Sequence, residues 1–574
     1  MHLFFLWIFC KKKQYLVKVE NMENREKKSH LQRFWHLVSL DKTDITSIYF
    51  YAILSGLMQL SVPIGVQAII GFVLGASMVT SIFVLIFLVV LGVFVVGVLQ
   101  VNQMKIIERI QQRIFTRNAF EFIDKIPKFD LYKTDSYFLP EKVNRFFDSL
   151  NLQKGFSKML LDIPTALIQI LFGLILLAFY HPLFIVFGFL LVLLLWMILH
   201  FTSKNGLEFS ILESDYKYEV VAWMQEVAKF IKTFKINQDT ALNHKATDKI
   251  VVNYLTSRTK HFKILLFQYK ALVAFKTLVT ASLLSVGVYL LINQQLNIGE
   301  FIAAEIVILS IIASVEKLIL HLDTVYDVLT AIEKLDSVTE NNSEQNGSVQ
   351  LTSNSISFEL VDFSFTYPNS TPLLKNVNLR IPAKAIVCIM GDENSGKSTL
   401  LKLLSGNYLQ FSGNFLLNNI PITNYDLDSI RKTTGIYFNE FEIFTGTVLE
   451  NITMGRSEST PDAIINIAEE LGFGNILQNL PYGFETLVGA NGKRLPRSVS
   501  QKIVLLRALV HHPNLLILEE PWLGLEMSYK QKIMDYLLQK PLNKTIIVSS
   551  NDEAFAKKCD YRFDLRNGTL ELLN

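Results

Sequence analysis

The chain has little cysteine and almost no excess charge. Its 574 residues contain three cysteines, Cys10, Cys388 and Cys559, which are far apart in the sequence and lack the spacing of a metal site. Such usage excludes a disulfide framework and is typical of a reducing compartment. The formal net charge is only +3, which gives no indication of nucleic acid, so no nucleic-acid partner is expected.

Long apolar runs are abundant before residue 330, in a chain that is 50% hydrophobic. Six runs reach the roughly 20 residues that cross a bilayer, at about 46–73, 79–101, 160–180, 182–202, 266–292 and 302–322. The alternative, buried helices of a soluble protein, is disfavoured because Val79–Leu99 and Pro182–Leu199 carry no charge. The pattern predicts an α-helical membrane domain with six transmembrane helices.

The distribution of lysine and arginine predicts the orientation of these spans. The 102–158 and 203–262 connections are rich in both residues, whereas the connections near 74–78, 181 and 293–301 have neither. Six spans with both chain ends in the cytoplasm satisfy this pattern at every connection. The sequence therefore predicts a multi-pass membrane protein with both chain ends in the cytoplasm, in contact with membrane lipid.

The two long cytoplasmic connections are charged, and their composition indicates helix. We expect the spanning helices to continue beyond the membrane and to join through short cross-helices near Phe129–Glu141 and Ser214–Trp223. Elements of this kind could transmit the motion of a cytoplasmic domain.

Lys276 lies in the fifth predicted span, and Glu316 and Lys317 lie in the sixth. Ionisable residues inside a span are costly and usually paired or functional. Counted from the outer connection near 296, Lys276 and Glu316 are each about 20 residues, or roughly 30 Å, deep. They are expected at one level near the cytoplasmic face. An ion pair between them is one interpretation, and separate snorkelling of each side chain to the interface is the other.

The start of the chain allows two interpretations. Met1–Cys10 is apolar and precedes Lys11-Lys12-Lys13, the reverse of the order in a signal peptide. Met22 opens a more ordinary polar start, so 1–21 is a candidate misassigned translation start. We divide the chain into a 1–45 N-terminal cytoplasmic segment, a 46–330 transmembrane domain, a polar 331–354 linker and a 355–574 ATP-binding domain.

The most specific motif lies in the last of these domains. Gly391-Asp392-Glu393-Asn394-Ser395-Gly396-Lys397-Ser398-Thr399 fits G-x-x-x-x-G-K-[ST], the phosphate-binding P-loop. An apolar strand, Ala385–Met390, precedes it and a helix start follows it, which disfavours a chance match. Its glycines let backbone N–H groups surround an anion. Lys397 is expected to neutralise the outer phosphates and Ser398 to ligate Mg²⁺. The candidate ATP-binding residues are Gly391, Asn394, Ser395, Gly396, Lys397, Ser398 and Thr399.

Further motifs resemble those of half-size ABC exporters, and the resemblance covers nearly the whole chain. They are Phe365-Thr366-Tyr367-Pro368, Ile443–Ile452, Thr486-Leu487-Val488-Gly489 with Gly492, and Leu515-Leu516-Ile517-Leu518-Glu519-Glu520-Pro521. The resemblance implies a helical membrane domain fused to an α/β P-loop domain, with ATP and Mg²⁺ as cofactors. It also implies adenine stacking on Tyr367, a metal role for Glu519, a catalytic role for Glu520 and a second half-transporter chain as partner.

The chain departs from the family at several positions. Asn439 replaces the Q-loop glutamine, Leu495-Pro496-Arg497-Ser498-Val499 replaces the L-S-G-G-Q signature, and Asn551 replaces the switch histidine. Glu519 and Glu526 replace aspartates and carry one more methylene each. Because phosphoryl transfer depends on positioning, these changes predict weak ATP hydrolysis, whereas ATP binding is less affected.

Three hypotheses remain open. The chain is an exporter subunit that retains slow hydrolysis, the impaired half of a heterodimeric exporter, or a membrane regulator that binds ATP without transport. Gly299–Leu335 is similar to exporters that secrete peptides or proteins through an adaptor, as in type I secretion, so a periplasmic adaptor is a further candidate partner. Homodimer and heterodimer, and the substrate itself, are left open by the sequence.

Overall fold

The computed structural model describes residues 30–75, 79–135, 139–237, 241–339, 343–476, 480–489, 492, 495–539 and 543–573. The chain divides into two compact units. The first lies within 1–127 and 138–341, and the second within 128–137 and 342–574. Met1–Cys10 and Met22 lie outside the described residues, and the predicted domain boundaries remain predictions.

The first unit is helical. Its helices are α1 His30–Leu40, α2 Lys42–Gln59, α3 Ser61–Leu74, α4 Val79–Lys125, α6 Leu139–Val143, α7 Asp148–Tyr180, α8 Leu183–Lys229, α9 Ile231–Ile236, α10 Leu242–Ile292, α11 Ile298–Leu320 and α12 Leu322–Thr339. A further short helix, α5 Leu131–Thr134, lies in the 128–137 segment that belongs to the second unit.

Five helical stretches among the described residues are long and apolar enough to cross a membrane: Lys42–Leu74, Thr80–Lys128, Leu139–Tyr180, Leu242–Ile292 and Ile298–Thr339. The remaining predicted span, 182–202, falls in α8, whose shorter apolar part is Leu183–Met197.

The first predicted span, 46–73, is broken rather than continuous. Helix α2 ends at Gln59 and α3 begins at Ser61. The break lies where Pro63, which has no N–H, cannot bond to the carbonyl of Gln59 one turn earlier.

The long helices continue well past the thickness of a bilayer. Helices α4 and α8 each have 47 residues and α10 has 51, which correspond to roughly 70–77 Å at 1.5 Å per residue. Short helices α5 and α6 follow α4, where the first cross-helix was expected. The second expectation was wrong: Ser214–Trp223 lies inside α8, and the chain turns only at Phe230, before α9. The polar run that begins at Asn237 was the missed signal.

Small residues let the helices of the first unit approach closely. A Cβ atom at Gly155 on α7 would lie 2.4 Å from Val328 on α12, and one at Gly173 would lie 2.9 Å from Ile311 on α11. Polar contacts between helices supplement this packing, since Ser314 donates to Gln169 at 2.8 Å and Arg113 contacts both Asp41 and Asp44. The contact between Ser314 and Gln169, which joins two predicted spans, is worth about 0.6–2 kcal/mol.

The second unit is an α/β structure. Its strands are β1 Phe358–Phe365, β2 Leu374–Ile381, β3 Ile386–Gly391, β4 Ser412–Leu417, β5 Ile420–Pro421, β6 Thr434–Tyr437, β7 Gly446–Thr447, β8 Leu487–Val488, β9 Leu515–Glu519, β10 Thr545–Ser549, β11 Tyr561–Arg566 and β12 Thr569–Leu573. Its other helices are α13 Lys397–Leu404, α14 Leu427–Thr433, α15 Val448–Thr453, α16 Pro461–Glu470, α17 Arg497–Leu509, α18 Met527–Leu537 and α19 Glu553–Ala556.

The main sheet has the strand order β12-β11-β3-β10-β9-β6, in which only β12 is antiparallel to its neighbour. A second, antiparallel sheet has the order β2-β1-β4-β5. Strands β3, β9 and β10 are almost fully buried, as their apolar sequences require. Their carboxyl ends meet at one edge, which is where open α/β sheets bind ligands.

Two of the cysteines that are distant in sequence become neighbours. Cys388 on β3 is fully buried, and Cys559, just before β11, packs against the same apolar cluster. A hydrogen bond with Cys388, together with burial, raises the pKa of the Cys559 thiol. Both thiols are free, as the sequence predicts.

Part of the predicted linker, 331–354, is fixed in place. Helix α12 continues through its first residues to Thr339. Further along, Gly347 donates its N–H to Tyr425 at 2.9 Å, and Asp426 accepts from the side chains of Asn346 and Gln350 at 2.7 and 2.8 Å. Arg431 also holds Glu344 with two hydrogen bonds, at 2.5 and 2.6 Å.

Candidate nucleotide site

The P-loop has the strand–loop–helix geometry that its sequence predicts. Strand β3 ends at Gly391 and α13 begins at Lys397. Gly391 has a φ of 144°, and a Cβ there would lie 2.3 Å from the carbonyl oxygen of Leu565, so only glycine fits. Gly396 and Asn394 also have positive φ, at 102° and 61°. The backbone therefore curls around the start of α13.

Lys397 closes this loop. Its Nζ donates to the carbonyl oxygens of Gly391 and Asp392, both at 2.6 Å. The ammonium group thus belongs to the first residue of α13, at a helix N-terminus, an arrangement that favours an anion. Ser395 Oγ is buried and has no hydrogen-bond partner among the described residues. These groups fit a phosphate chain.

Three side chains with oxygen atoms that could act as metal ligands lie at the loop or next to it: Ser398, Glu519 and Asn439. Ser398 Oγ donates to Oε1 of Glu519, and the backbone N–H of Asn439 donates to Oε2 of the same carboxylate at 3.3 Å. Oδ1 of Asn439 is buried and has no hydrogen-bond partner in the described part of the chain. Hydroxyl, carboxylate and amide oxygens are the ligands that Mg²⁺ prefers. The donor set therefore fits this ion.

Glu520 is held at the end of β9. Its Oε2 accepts from Ser550 Oγ at 2.9 Å and its Oε1 accepts from the N–H of Asn551 at 3.2 Å. Its φ of 43° is uncommon for a residue with a side chain, and such backbone strain is concentrated at functional sites. Asn551 in turn accepts from the N–H of Gly391 through Oδ1, at 3.0 Å. The side chain that replaces the switch histidine therefore contacts the P-loop of its own chain.

Tyr367 belongs to an aromatic cluster beside the loop. Its hydroxyl lies 3.1 Å from Oγ1 of Thr399, and its ring meets those of Phe365 and Tyr408 edge to face at 4.9 and 5.7 Å. Burial, followed by the contact with Tyr367, raises the pKa of Tyr408, so its hydroxyl stays neutral. Tyr132, from the 128–137 segment, packs against Phe365 at 6.0 Å. No sequence motif marks Tyr408 or Ser550 as part of the site.

The residues that replace the family's signature, Leu495–Val499, lie at the start of α17. Pro496 is the N-cap residue and offers no side-chain hydrogen bond to the helix. Pro496, Arg497 and Ser498 are exposed, while Val499 packs against the apolar core. The guanidinium of Arg497 lies 5.3 Å from the ring centre of Phe441. The bulky Arg497 and the smaller Ser498 thus stand where the family has glycines. Asn491, Lys493 and Arg494 lie outside the described residues.

The residues that the structure brings together have the chemistry to bind a phosphate chain and a hard cation. Lys397, Ser398, Glu519 and Glu520 converge at the carboxyl ends of β3 and β9. Asn439 and Asn551 lie at the same edge. Asn439 stands where the resemblance implies a glutamine, and Asn551 stands where it implies a histidine.

Comparisons with known proteins agree with this geometry. The family described as ABC transporter matches residues 374–523. A putative export ATP-binding/permease protein of Rickettsia felis is 28% identical over 55% of this chain and 55% of its own length. The mitochondrial iron-sulfur clusters transporter ATM1 of Saccharomyces cerevisiae is 32% identical over 31% of this chain and 26% of its own length.

One solved structure covers nearly the whole chain. The structure of a bacterial Atm1-family ABC exporter with ATP bound matches 92% of this chain and 94% of its own, with a TM-score of 0.83 and 17% identity. The chain therefore has the fold of an ABC exporter, a multi-pass helical membrane domain fused to an ABC transporter domain. The sequence match spans about half the length of the curated Rickettsia relative, so activity, substrate and partners are matters of proposal.

Proposed function

We propose that the chain is an ATP-binding half-transporter subunit of an ABC exporter, with weak intrinsic ATP hydrolysis. The observation that carries this proposal is a complete phosphate loop, closed by Lys397, beside a hydrolytic site in which Asn439 and Asn551 replace longer or chargeable side chains. The chain would move a substrate out across a bacterial cytoplasmic membrane, with its ATP-binding domain in the cytoplasm. By resemblance alone, a peptide or protein is the candidate substrate.

The proposed cofactors are ATP and Mg²⁺. Tyr367 offers a face for the adenine, and the P-loop residues Gly391, Asn394, Ser395, Gly396, Lys397 and Thr399 bind or orient the phosphates. Ser398 and Glu519 hold the metal, with the orphaned amide oxygen of Asn439 nearby. The ion, when bound, neutralises the charge that develops during phosphoryl transfer.

Slow hydrolysis follows from the same residues. Glu520 is the candidate general base, and Ser550 together with the N–H of Asn551 orients its carboxylate. Loss of one hydrogen-bond donor that is directed at the transition state typically lowers the rate about 10²- to 10³-fold. When several residues act together, the effects of losing each of them do not simply multiply. The side chain of Asn551 already contacts the N–H of Gly391, so it is directed toward its own P-loop.

The proposed partner is a second half-transporter chain, because a single nucleotide domain and a single membrane unit are half of a two-fold assembly. A homodimer is our preferred form and a heterodimer is the alternative. In a heterodimer one site would contain Asn551 and the other would contain Leu495–Val499, so neither site would be complete. A periplasmic adaptor and membrane lipid are further proposed partners, and a regulator without transport is the remaining alternative function.

The direct test is equilibrium binding of a fluorescent ATP analogue, with Mg²⁺, to the full chain in lipid nanodiscs. Lys397→Ala should weaken binding about 10- to 100-fold, because a hydrogen bond to a charged group is worth about 1.5–3 kcal/mol. Lys375→Ala, which removes an exposed lysine from the same unit, is the matched control and should bind normally. Equal affinity of the wild type and Lys397→Ala would contradict the assignment of the site. Identification of chains that co-purify from native membranes would then separate homodimer from heterodimer.

A further inference from the structure

A stripe of basic residues runs along α4 just past its apolar part. Its members follow one another at intervals of four residues and so share one side of the helix: Lys105, Arg109, Arg113 and Arg117. A groove of about 470 Å³ on this side is lined by side chains that can donate hydrogen bonds, namely Arg109, Gln112, Arg113, Thr116 and Arg117. Such a lining suits an anion.

A contact with α2 fixes the level of this basic stripe relative to the predicted spans. Nε2 of Gln103 on α4 donates to the carbonyl oxygen of Ile48 on α2 at 3.0 Å. Ile48 is near the start of the predicted 46–73 span and Gln103 is just past the end of the predicted 79–101 span, so both helices leave the apolar layer here. At 1.5 Å per residue, Lys105 lies about 3 Å and Arg109 about 9 Å beyond this level. The polar layer on each side of a hydrocarbon core is roughly 5–8 Å thick. The two cations therefore lie at the level of lipid headgroups.

The far end of the stripe is neutralised within the protein. Arg113 contacts Asp41 and Asp44, at 3.1 and 2.7 Å, and Arg117 contacts Asp41 at 3.1 Å. Two guanidinium groups thus meet two carboxylates from the start of α2. This end of the stripe holds α2 against α4 and has little charge left for a ligand.

The end of the stripe near the membrane retains its charge. Lys105 and Arg109 are exposed, and neither forms an ion pair within the part of the chain that the structure describes. Glu108 is the acidic residue between them, and its Oε1 accepts from Nε2 of Gln112 at 2.9 Å. Two cations therefore face one carboxylate that already has a hydrogen-bond partner, which leaves a net positive charge at the headgroup level.

On the membrane side of these cations, the same side of α4 is apolar. Phe94 and Val98 are 66% and 44% exposed. Val98 and Lys105 are seven residues apart, or two turns, so the apolar side chains and the cations lie in one line along the helix. A phospholipid has the same order, with acyl chains next to a charged headgroup. The chemistry of this side of α4 therefore matches a lipid from end to end.

We propose that the basic stripe binds the headgroup of an anionic phospholipid in the leaflet that is predicted to be cytoplasmic. Arg109 holds the phosphate through its planar guanidinium, which can donate two parallel hydrogen bonds. Lys105 adds a second positive charge, and the acyl chains lie along Phe94 and Val98. The proposal rests on the proposed membrane function of the chain, but it does not depend on ATP binding.

The test is native mass spectrometry of the full chain in detergent, titrated with phosphatidylglycerol or with phosphatidylcholine of the same acyl chains. We expect phosphatidylglycerol to bind more tightly, because only its headgroup carries a net negative charge. Arg109→Gln should weaken its binding about fivefold, the usual effect of one cation near an anionic surface, and the double variant with Lys105→Gln about 25-fold. Arg109→Lys keeps the charge and should retain most of the affinity.

The matched control is Lys249→Gln, which removes the charge of an exposed lysine on α10. Lys249 is about 65 Å along α10 from the outer end of that helix, and so is far beyond the headgroup level. This variant should bind phosphatidylglycerol as the wild type does. Binding of phosphatidylcholine and of the fluorescent ATP analogue should be the same in every variant.

Three results would overturn the proposal. The first is equal affinity of the wild type and the double variant for phosphatidylglycerol, and the second is a loss in Lys249→Gln as large as that in Arg109→Gln. The third is displacement of phosphatidylglycerol by inorganic phosphate at constant ionic strength, which would assign a soluble anion to the stripe. If neither lipid is retained by the wild type, the membrane function fails together with the lipid site. If Arg109→Gln does not fold, Lys105→Gln alone decides by the same comparison.

Discussion

Nζ of Lys276 lies 2.5 Å from Oε2 of Glu316, which joins α10 to α11 by an ion pair within the predicted spans. The sequence allowed either this pair or separate snorkelling of each side chain to the interface. Both side chains are 33% exposed, so the pair is partly shielded from solvent. The depth count from the outer connection had placed the two residues at one level, and the structure confirms that they meet.

Charge reversal tests whether the pair clamps the two helices. Lys276→Glu and Glu316→Lys should each lower the yield of monodisperse protein and its Tm, because each places like charges together in a poorly hydrated position. The double variant should recover, with an interaction energy of about 0.5–3 kcal/mol. Size-exclusion chromatography and thermal unfolding in detergent measure both effects.

The control for charge alone is Lys263→Glu, at an exposed position on the same helix before the predicted span. It should behave like the wild type. If both single variants at Lys276 and Glu316 also assemble normally, the ion pair makes no contribution to the fold.

The nucleotide site illustrates how much local sequence can predict. The P-loop is specified by glycines whose φ values are accessible to few other residues, so its geometry at Gly391 and Gly396 follows from a short motif. The same holds for Glu519 and Glu520, which end an apolar strand. Tyr408 and Ser550 could not be predicted, because an aromatic contact or a hydrogen bond across the fold leaves no pattern in the sequence around either residue.

The helical unit contains features that the sequence did not predict. Apolar length predicts that a segment spans a membrane, but it does not predict where a helix breaks. Pro63 was visible in the sequence and interrupts the first span, whereas the helix that contains Ser214–Trp223 continues to Lys229 and the chain turns at Phe230. The contact between Gly347 and the Asn424 loop also could not be predicted, because the composition of 340–348 is that of a flexible linker.

Restoration of the family's residues should raise ATP hydrolysis. We expect the combination of Asn439→Gln, Pro496→Ser, Arg497→Gly, Ser498→Gly, Val499→Gln and Asn551→His to increase the rate about 10²-fold or more, since each group aligns or stabilises the transferred phosphoryl. Phosphate release by the purified full chain measures the rate. Addition of Lys397→Ala to the restored chain is the control and should abolish the gain. An unmodified chain that already turns over at about 1–100 s⁻¹ would show that the substitutions are harmless.

Gly347 should be intolerant of a side chain. A Cβ atom there would lie 2.1 Å from the backbone carbon of Asn424, so Gly347→Ala must displace the segment that holds Asn346 and Gln350 against Asp426. We expect a loss of about 1–3 kcal/mol in stability, the usual cost of overpacking, and faster proteolysis near residue 347. Gly489→Ala is the control, because no atom lies within 4 Å of the added Cβ. Equal stability of the two variants would mean that the segment is not fixed in solution.

His511 should make the second unit less stable in mild acid. Burial, followed by the nearby Arg456, lowers the pKa of His511 to about 4, and its Nδ1 lies 2.5 Å from Oγ of Ser459. An unfolded chain has a histidine pKa of about 6.5. The unfolded state therefore binds the proton more readily, so the contribution of His511 to stability is fully present above about pH 6.5 and is lost progressively as the pH falls toward about 4. His511→Asn should flatten the decline in Tm over this range. His512→Asn, at the exposed neighbouring position, removes only one of the charges that lower the pKa of His511 and should flatten the decline less. If His511→Asn loses stability in acid as steeply as the wild type does, then other groups are responsible for the decline.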